Sequence, residues 1–132
     1  MKILIFENQF NVVEDAFNLC NELYFESQLI YDVYIKYQDF KDIDKLNNYI
    51  AIIIDIELAK NSNLDGFGIL EILERRDVDS QKIMIMTGHE LLDEELKKRN
   101  VNRKYEVITK PIDHRELKGF IEKAIQHQSP LE

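Results

Sequence analysis

The sequence predicts an α/β domain in which helices cover both faces of a five-stranded parallel sheet. The central observation is Ile50–Glu57, a nearly unbroken aliphatic run that ends in acids, typical of a strand buried on both faces. Five such apolar runs alternate with five segments of helical spacing, and this alternation favours right-handed crossovers in a doubly wound sheet. The 132 residues, 45% of them hydrophobic, are enough for one domain with a real core.

The other four predicted strands are apolar runs bounded by polar residues. The first leads directly into Glu7 and Asn8, and the fourth leads into Thr87 and Gly88. In chain order, these strands are Lys2–Phe6, Gln28–Tyr37, Gln81–Met86 and Tyr105–Ile108.

Apolar residues at helical spacing fill the segments between the strands. Asn11 and Glu14 fit a capping box at the start of the first helix, and Asp113 and Glu116 fit another before the last one. The three helices predicted between them are Asp39–Asn48, Gly66–Arg76 and Glu90–Arg99. The last two end in basic residues, which suit the helix dipole.

Composition excludes several classes of protein. The net charge of −8 disfavours nucleic-acid binding, and no apolar run is long enough to cross a membrane. Cys20 is the only cysteine, so a disulfide framework is excluded and a reducing, cytoplasmic location is expected. We interpret residues 1–128 as one domain and residues 129–132 as a linker or remnant.

Reactive side chains follow the predicted strands at one edge of the sheet. In open α/β sheets ligands bind at the carboxyl ends of the strands, where Asp55 ends the central strand. Glu7, Asn8, Thr87 and Lys110 end the neighbouring strands. Carboxylate and amide oxygens suit Mg²⁺, an ammonium and a hydroxyl suit a phosphoryl group, and a carboxylate can accept one. Taken alone, Asp55 could equally be a turn or helix-capping residue.

Five short motifs, in this order and spacing, resemble those of response-regulator receiver domains from two-component signalling. They are Ile3–Asn8, Ile52–Asp55, Asp65–Gly68, Met86–Gly88 and Thr109–Pro111. The likeness extends over essentially the whole chain. It implies a flavodoxin-like sheet with the strand order 2-1-3-4-5.

The resemblance implies a role for each matching residue. Asp55 would be the phosphoacceptor, Thr87 would hydrogen-bond the phosphoryl group, and Lys110 would pair with its charge. Pro111 would fix the lysine's loop, often through a cis bond. The alternatives are that Thr87 is a helix cap, that Lys110 is a solvated loop residue, and that the glycines at 66 and 68 are ordinary turn residues.

The resemblance also implies Mg²⁺ as a cofactor, held by Glu7, Asn8, Asp55 and the backbone carbonyl of Glu57. The family usually has two acids where this chain has Glu7 and Asn8. An amide oxygen can coordinate a cation but carries no charge, and so we expect the magnesium site to be weak.

Two further departures concern switching and the loop after the central strand. The aromatic residue that normally lies three positions before the lysine is Val107 here, and Tyr105 lies two positions further back. The usual coupling between the threonine and an aromatic ring is therefore unexpected. The loop from Asp55 to Asp65 is about three residues longer than usual and lacks its common proline.

The resemblance implies a histidine kinase or phosphotransfer protein as the partner. Charge adds a second expectation, because Lys97–Lys123 contains nine basic and four acidic residues and the rest of the chain is at −13. By the resemblance, this segment belongs to the family's usual output surface, formed by the fourth helix, the fifth strand and the fifth helix. It could bind an acidic protein or a second copy of the domain. Ordinary solvated lysines explain the pattern equally well.

Three functions compete. The first is a phosphorylation-controlled switch, which could also catalyse its own phosphorylation and dephosphorylation with Mg²⁺. The second is an atypical receiver that works as a phosphorylation-independent interaction module, favoured by Asn8 and Val107. The third, a flavodoxin-like electron carrier, needs a Gly- and Ser/Thr-rich phosphate loop after the first strand, and residues 7–11 contain none of these residues.

Overall fold

The computed structural model describes residues 1–58, 61–88, 92–99, 101 and 103–128. Their five strands form one parallel sheet in the order β2-β1-β3-β4-β5, as the sequence predicts. The strands are β1 Lys2–Phe6, β2 Ile30–Tyr34, β3 Ala51–Asp55, β4 Ile83–Thr87 and β5 Glu106–Thr109. The segment predicted as a linker or remnant, 129–132, lies outside the described residues.

Four α-helices connect or follow these strands within the described residues. They are α1 Phe10–Tyr24, α2 Gly66–Arg75, α3 Leu92–Lys98 and α4 His114–Gln126. The first two residues predicted for the helix Glu90–Arg99 lie outside the described residues.

The helix predicted at Asp39–Asn48 is wrong in type, since this segment contains 3₁₀ turns at Tyr37–Asp39 and Ile43–Asn48. The reason lies in the spacing of its apolar side chains, Phe40, Ile43, Leu46 and Tyr49, which recur every third residue. A 3₁₀ helix has three residues per turn and aligns such positions on one side. All four pack in the same core cluster.

The predicted capping box at Asn11 and Glu14 is also wrong. Helix α1 begins earlier, at Phe10, and its N-cap Gln9 makes no side-chain capping bond. With Phe10 in the first turn of the helix, its ring packs against that of Phe17, 5.4 Å away between centroids. At the other predicted box Asp113 is the N-cap, and its side chain accepts from the Arg115 N–H.

The sheet separates two hydrophobic clusters, because side chains alternate between its faces. Leu117, Phe120 and Phe17 belong to the cluster under α1 and α4, and Leu70 and Leu73 belong to the cluster under α2. Every residue of β3 is buried, as expected for the centre of a parallel sheet. The end of β3 is therefore held rigidly from both faces.

Helix α2 begins in direct contact with the end of β3. Asp65 is its N-cap and accepts from the Gly68 N–H at 2.8 Å. A Cβ on Gly66 would lie 2.5 Å from the Ile56 Cα and 2.7 Å from the Asp55 carbonyl oxygen. Gly66 is thus more than a turn residue, since only glycine lets the helix approach the strand this closely.

Candidate functional site

Backbone hydrogen bonds beyond the strand ends place the predicted site residues at one edge of the sheet. Asp55 pairs with Met86 in register, and Thr87 pairs with Thr109. The ladder continues past β5, where the Lys110 N–H donates to the Thr87 carbonyl at 2.9 Å. On the other side, the Glu7 N–H donates to the Tyr34 carbonyl at 3.1 Å.

Lys110 joins the two carboxylates of this edge. Its ammonium nitrogen donates to both carboxylate oxygens of Glu7 at 3.1 Å and to Asp55 Oδ2 at 3.4 Å. Glu7 is 0% exposed and Asp55 is 3% exposed. Two buried carboxylates thus share one ammonium, which compensates part of the cost of their burial.

Burial and the neighbouring Asp55 carboxylate raise the pKa of Glu7 to about 7, and the hydrogen bonds from Lys110 only partly oppose this. For Lys110, burial lowers the pKa, but the bonds to Glu7 and the attraction of Asp55 outweigh it and raise the pKa. Lys110 therefore stays positively charged at neutral pH.

Asp55 uses its two oxygens differently. Oδ1 accepts from the Glu57 N–H at 3.0 Å, which is the turn-forming role that the sequence left open. Oδ2 faces Lys110. Asn8 is half-buried beside Glu7, and the Glu57 residue is exposed. One oxygen of Asp55 is thus fixed by the backbone while the other lies beside a cation.

Thr87 is 1% exposed at the end of β4, directly next to β3. The structure brings it to the same sheet edge as Asp55 and Lys110, in line with the predicted constellation.

The comparisons with known proteins decide the fold. No protein-family model and no curated protein sequence matches the chain. A receiver domain of a DNA-binding response regulator from Colwellia psychrerythraea superimposes with a TM-score of 0.72 at 16% identity, covering 96% of this chain and 99% of that one. A Francisella response-regulator receiver domain gives 0.69 at 17% identity, with coverages of 97% and 98%. A receiver domain protein from Clostridium thermocellum gives 0.69 at 20% identity, with coverages of 99% and 98%.

The chain has the receiver-domain fold. The sequence prediction of this fold is confirmed, although the identities establish the fold alone. Among the described residues, no helix combines the length and the apolar character needed to cross a membrane.

Two further features of the receiver fold can be located. The Lys110–Pro111 peptide bond is cis, as the resemblance implies. Val107, at the position of the usual aromatic residue, is 40% exposed. Tyr105 is partly buried and packs against the same cluster as Leu96 of α3. The Arg103 guanidinium carbon lies 5.9 Å from the centre of the Tyr105 ring, so this ring is a packing group in the structure.

The carboxylate, amide and carbonyl oxygens at this edge of the sheet are of the type that binds a hard cation. The number of charged donors is small. Among the described residues, no group of three or more His, Cys, Asp or Glu side chains could hold a metal ion. The candidate ligands Glu7, Asn8, Asp55 and the Glu57 carbonyl include only two carboxylates, and Lys110 contacts both. These residues fit a weak magnesium site.

Sequence reasoning missed Gln9 and did not assign Gly66 its role in shaping the site. The Gln9 N–H donates to Glu7 Oε1 at 3.2 Å and helps to orient that carboxylate. Gly66 sets the distance between α2 and the Asp55 backbone. The Asp65-Gly66 pair after the central strand was a usable signal for the second contact, whereas nothing local indicates the first.

Proposed function

We propose that this protein is a phosphoacceptor receiver domain, in which Asp55 accepts a phosphoryl group from a histidine kinase or a phosphotransfer protein. The observation that carries the proposal is the Lys110 ammonium, 3.4 Å from Oδ2 of a buried carboxylate at the end of the central strand. A fixed cation at this point can neutralise charge on an incoming phosphoryl group.

In the proposed reaction an Asp55 carboxylate oxygen attacks the phosphorus of a phosphohistidine. The new P–O bond forms as the P–N bond breaks, and the imidazole leaves and recovers a proton from water. Lys110 compensates the phosphoryl charge, and the Thr87 hydroxyl donates a hydrogen bond to a phosphoryl oxygen. A bound Mg²⁺, held by Glu7, Asn8, Asp55 and the Glu57 carbonyl, would neutralise additional phosphoryl charge.

Intact-mass spectrometry after incubation with acetyl phosphate and Mg²⁺ tests this proposal. We expect the addition of one phosphate, and we expect Asp55→Asn to abolish it. Glu71→Gln is a matched control, because it removes the charge of a surface acid on α2. Phosphate on Asp55→Asn, or none on the unmodified protein, would contradict the assignment.

A second function is favoured by Asn8 and by the exposed Val107. In this alternative the domain is a phosphorylation-independent interaction module. Beryllofluoride, which mimics a phosphoryl group on a carboxylate, separates the two functions when it is added with Mg²⁺ and followed by hydrogen exchange. Altered protection around Thr87 and α3 supports the switch, whereas unchanged protection throughout supports the module.

The expected partners follow from the proposed switch. A kinase or phosphotransfer protein must reach Asp55 at the strand ends. A second copy or an acidic protein remains a candidate for the basic segment Lys97–Lys123, which includes the end of α3, β5 and most of α4.

A further inference from the structure

A cavity of about 280 Å³ lies at the edge of the sheet opposite Asp55. It is bounded by the 3₁₀ turn Ser80–Lys82 before β4, by the start of β5 and by the last turns of α4. Because the strands are parallel, the edge where β4 and β5 begin is the far edge from the one where β3 ends. The cavity is therefore separate from the proposed phosphoacceptor site.

Three basic side chains line this cavity. Lys104 precedes β5, and Lys123 and His127 lie one turn apart at the end of α4. Within the described part of the chain, none of these side chains forms a hydrogen bond or an ion pair. The helix dipole accounts for basic residues at the end of α4, but it does not account for Lys104. In a chain with a net charge of −8, basic groups from two elements thus meet without ion-pair partners.

Neutral polar groups complete the lining. The Ser80 hydroxyl and the Gln81 amide can both donate hydrogen bonds, and neither side chain is bonded to another described residue. Glu106 is the one acid of the lining, and it is exposed. The two lysines outweigh its charge even when His127 is neutral. The cavity therefore offers net positive charge and several unused donors.

We propose that this cavity binds a small phosphate monoester, with its phosphate between Lys104 and Lys123. A phosphate monoester carries between one and two negative charges at neutral pH and has three strong acceptor oxygens. Two ammonium groups, a hydroxyl and an amide match that charge and that number of acceptors. A carboxylate has a single charge and two oxygens, so it would leave donors of this cavity unused.

The size of the cavity indicates an organic ester and not the bare phosphate ion. Its volume is roughly nine times the ~30 Å³ that one water occupies in the liquid. Phosphate alone would fill only part of this space, and Phe120 and Tyr105 line the cavity beside the polar groups. The net charge of −8 disfavours approach to an anionic membrane, so the ligand is a soluble ester and not a lipid headgroup.

An NMR titration of the backbone amides with phenyl phosphate tests the proposal, with EDTA present to keep divalent cations from the strand-end site. We expect the amides of residues 80–81, 104–106 and 123–127 to shift along one saturating curve, while those of residues 55, 87 and 110 stay unchanged. Inorganic phosphate and benzoate should each bind at least about threefold more weakly, because each lacks part of the matching chemistry. Shifts that do not saturate, or that centre on residues 55, 87 and 110, would overturn the site. Equal binding of inorganic phosphate or of benzoate would overturn the assignment of a phosphate monoester.

Substitutions of exposed residues test which charges hold the phosphate. We expect Lys104→Gln and Lys123→Gln each to weaken phenyl phosphate binding by about fivefold or more, and Glu106→Gln to tighten it by about twofold. Lys118→Gln is the matched control, because it removes the same charge from α4 at a position that pairs with Glu122 and does not line the cavity. Equal weakening by Lys118→Gln and Lys123→Gln would show only general attraction of an anion and would refute the site.

Discussion

Gly66 lies where the first turn of α2 meets the backbone of the predicted phosphoacceptor. An alanine Cβ there would overlap the Ile56 Cα and the Asp55 carbonyl oxygen, at 2.5 and 2.7 Å. Because both atoms belong to the backbone of a fully buried strand end, the helix must move instead. We predict that Gly66→Ala lowers the free energy of unfolding by about 2 kcal/mol, measured by denaturant titration.

Gly119→Ala is the matched control for this prediction. Gly119 lies inside α4, and nothing would come within 4 Å of its added Cβ. Alanine stabilises a helix interior relative to glycine, so this variant should gain about 0.5–1 kcal/mol. Equal changes in the free energy of unfolding for the two variants would show that the close approach at Gly66 does not affect stability.

At the residue scale, the sequence predicted which side chains lie at the same sheet edge but not which hydrogen bonds they form. The strand-end rule brought Glu7, Asp55, Thr87 and Lys110 to one edge, and the structure confirms that placement. It could not predict that Lys110 bonds both oxygens of Glu7. That contact joins residues 103 positions apart in sequence and depends on the length of one side chain.

Among the elements, the segment between β2 and β3 shows why a helix type can be misjudged. An apolar residue at every third position resembles helical spacing over ten residues, yet it matches three residues per turn better than 3.6. Asp and Asn residues in the same segment are weak α-helix formers. The strands were predicted more reliably, because runs such as Ala51–Asp55 are apolar on both faces and have few alternatives.

Among the described residues, the side chain of Arg99, just beyond the last turn of α3, contacts the start of α2. The Arg99 guanidinium carbon lies 4.3 Å from the centre of the Phe67 ring, and Arg99 Nη1 lies 3.5 Å from Asp65 Oδ2. Asp65 also caps α2 through its other oxygen. Arg99 and Asp65 are each about half exposed, so solvent screening keeps the ion pair weak.

We predict that Arg99→Ala loosens α3 without unfolding the domain. Loss of the cation–π and ionic contacts should speed hydrogen exchange in residues 92–98 by roughly three- to tenfold, with the central strands unaffected. Arg75→Ala is the control, because Arg75 makes an exposed ion pair with Glu71 within α2. Exchange in α3 that does not respond to Arg99→Ala would mean that Leu96 and the other packed groups hold the helix.

In the whole molecule, charged residues are unevenly distributed along the chain. The basic segment Lys97–Lys123 contrasts with a remainder at −13. Lys110 from this segment lies in the site, whereas other members, such as Arg115 at 76% side-chain exposure, lie on the surface. One basic residue thus serves the site, several others pair within the chain, and binding of an acidic partner by the exposed members stays a prediction.

Global stability should depend on pH through Glu7. Its pKa is raised from 4.5 to about 7 in the folded chain, mainly by burial. Between these values the folded state binds more protons than the unfolded state, so this group stabilises the fold at low pH and the contribution is lost as pH rises through about 7.

Asp113 acts in the opposite direction at lower pH, because hydrogen bonds from Arg115 lower its pKa. Its contribution is lost as the solution becomes strongly acidic.

We therefore predict that the free energy of unfolding falls as pH rises from about 5 to about 7.5, by up to roughly 3 kcal/mol. Denaturant titrations at several pH values, with EDTA present to remove divalent cations, measure this slope. Glu7→Gln cannot ionise and should flatten the slope in this range, while Glu71→Gln, at an exposed position, should leave it unchanged. A slope that persists in Glu7→Gln would place the titrating group elsewhere. A flat profile in the unmodified protein would mean that Lys110 keeps Glu7 ionised throughout, because the buried ion pair then outweighs the desolvation of the carboxylate.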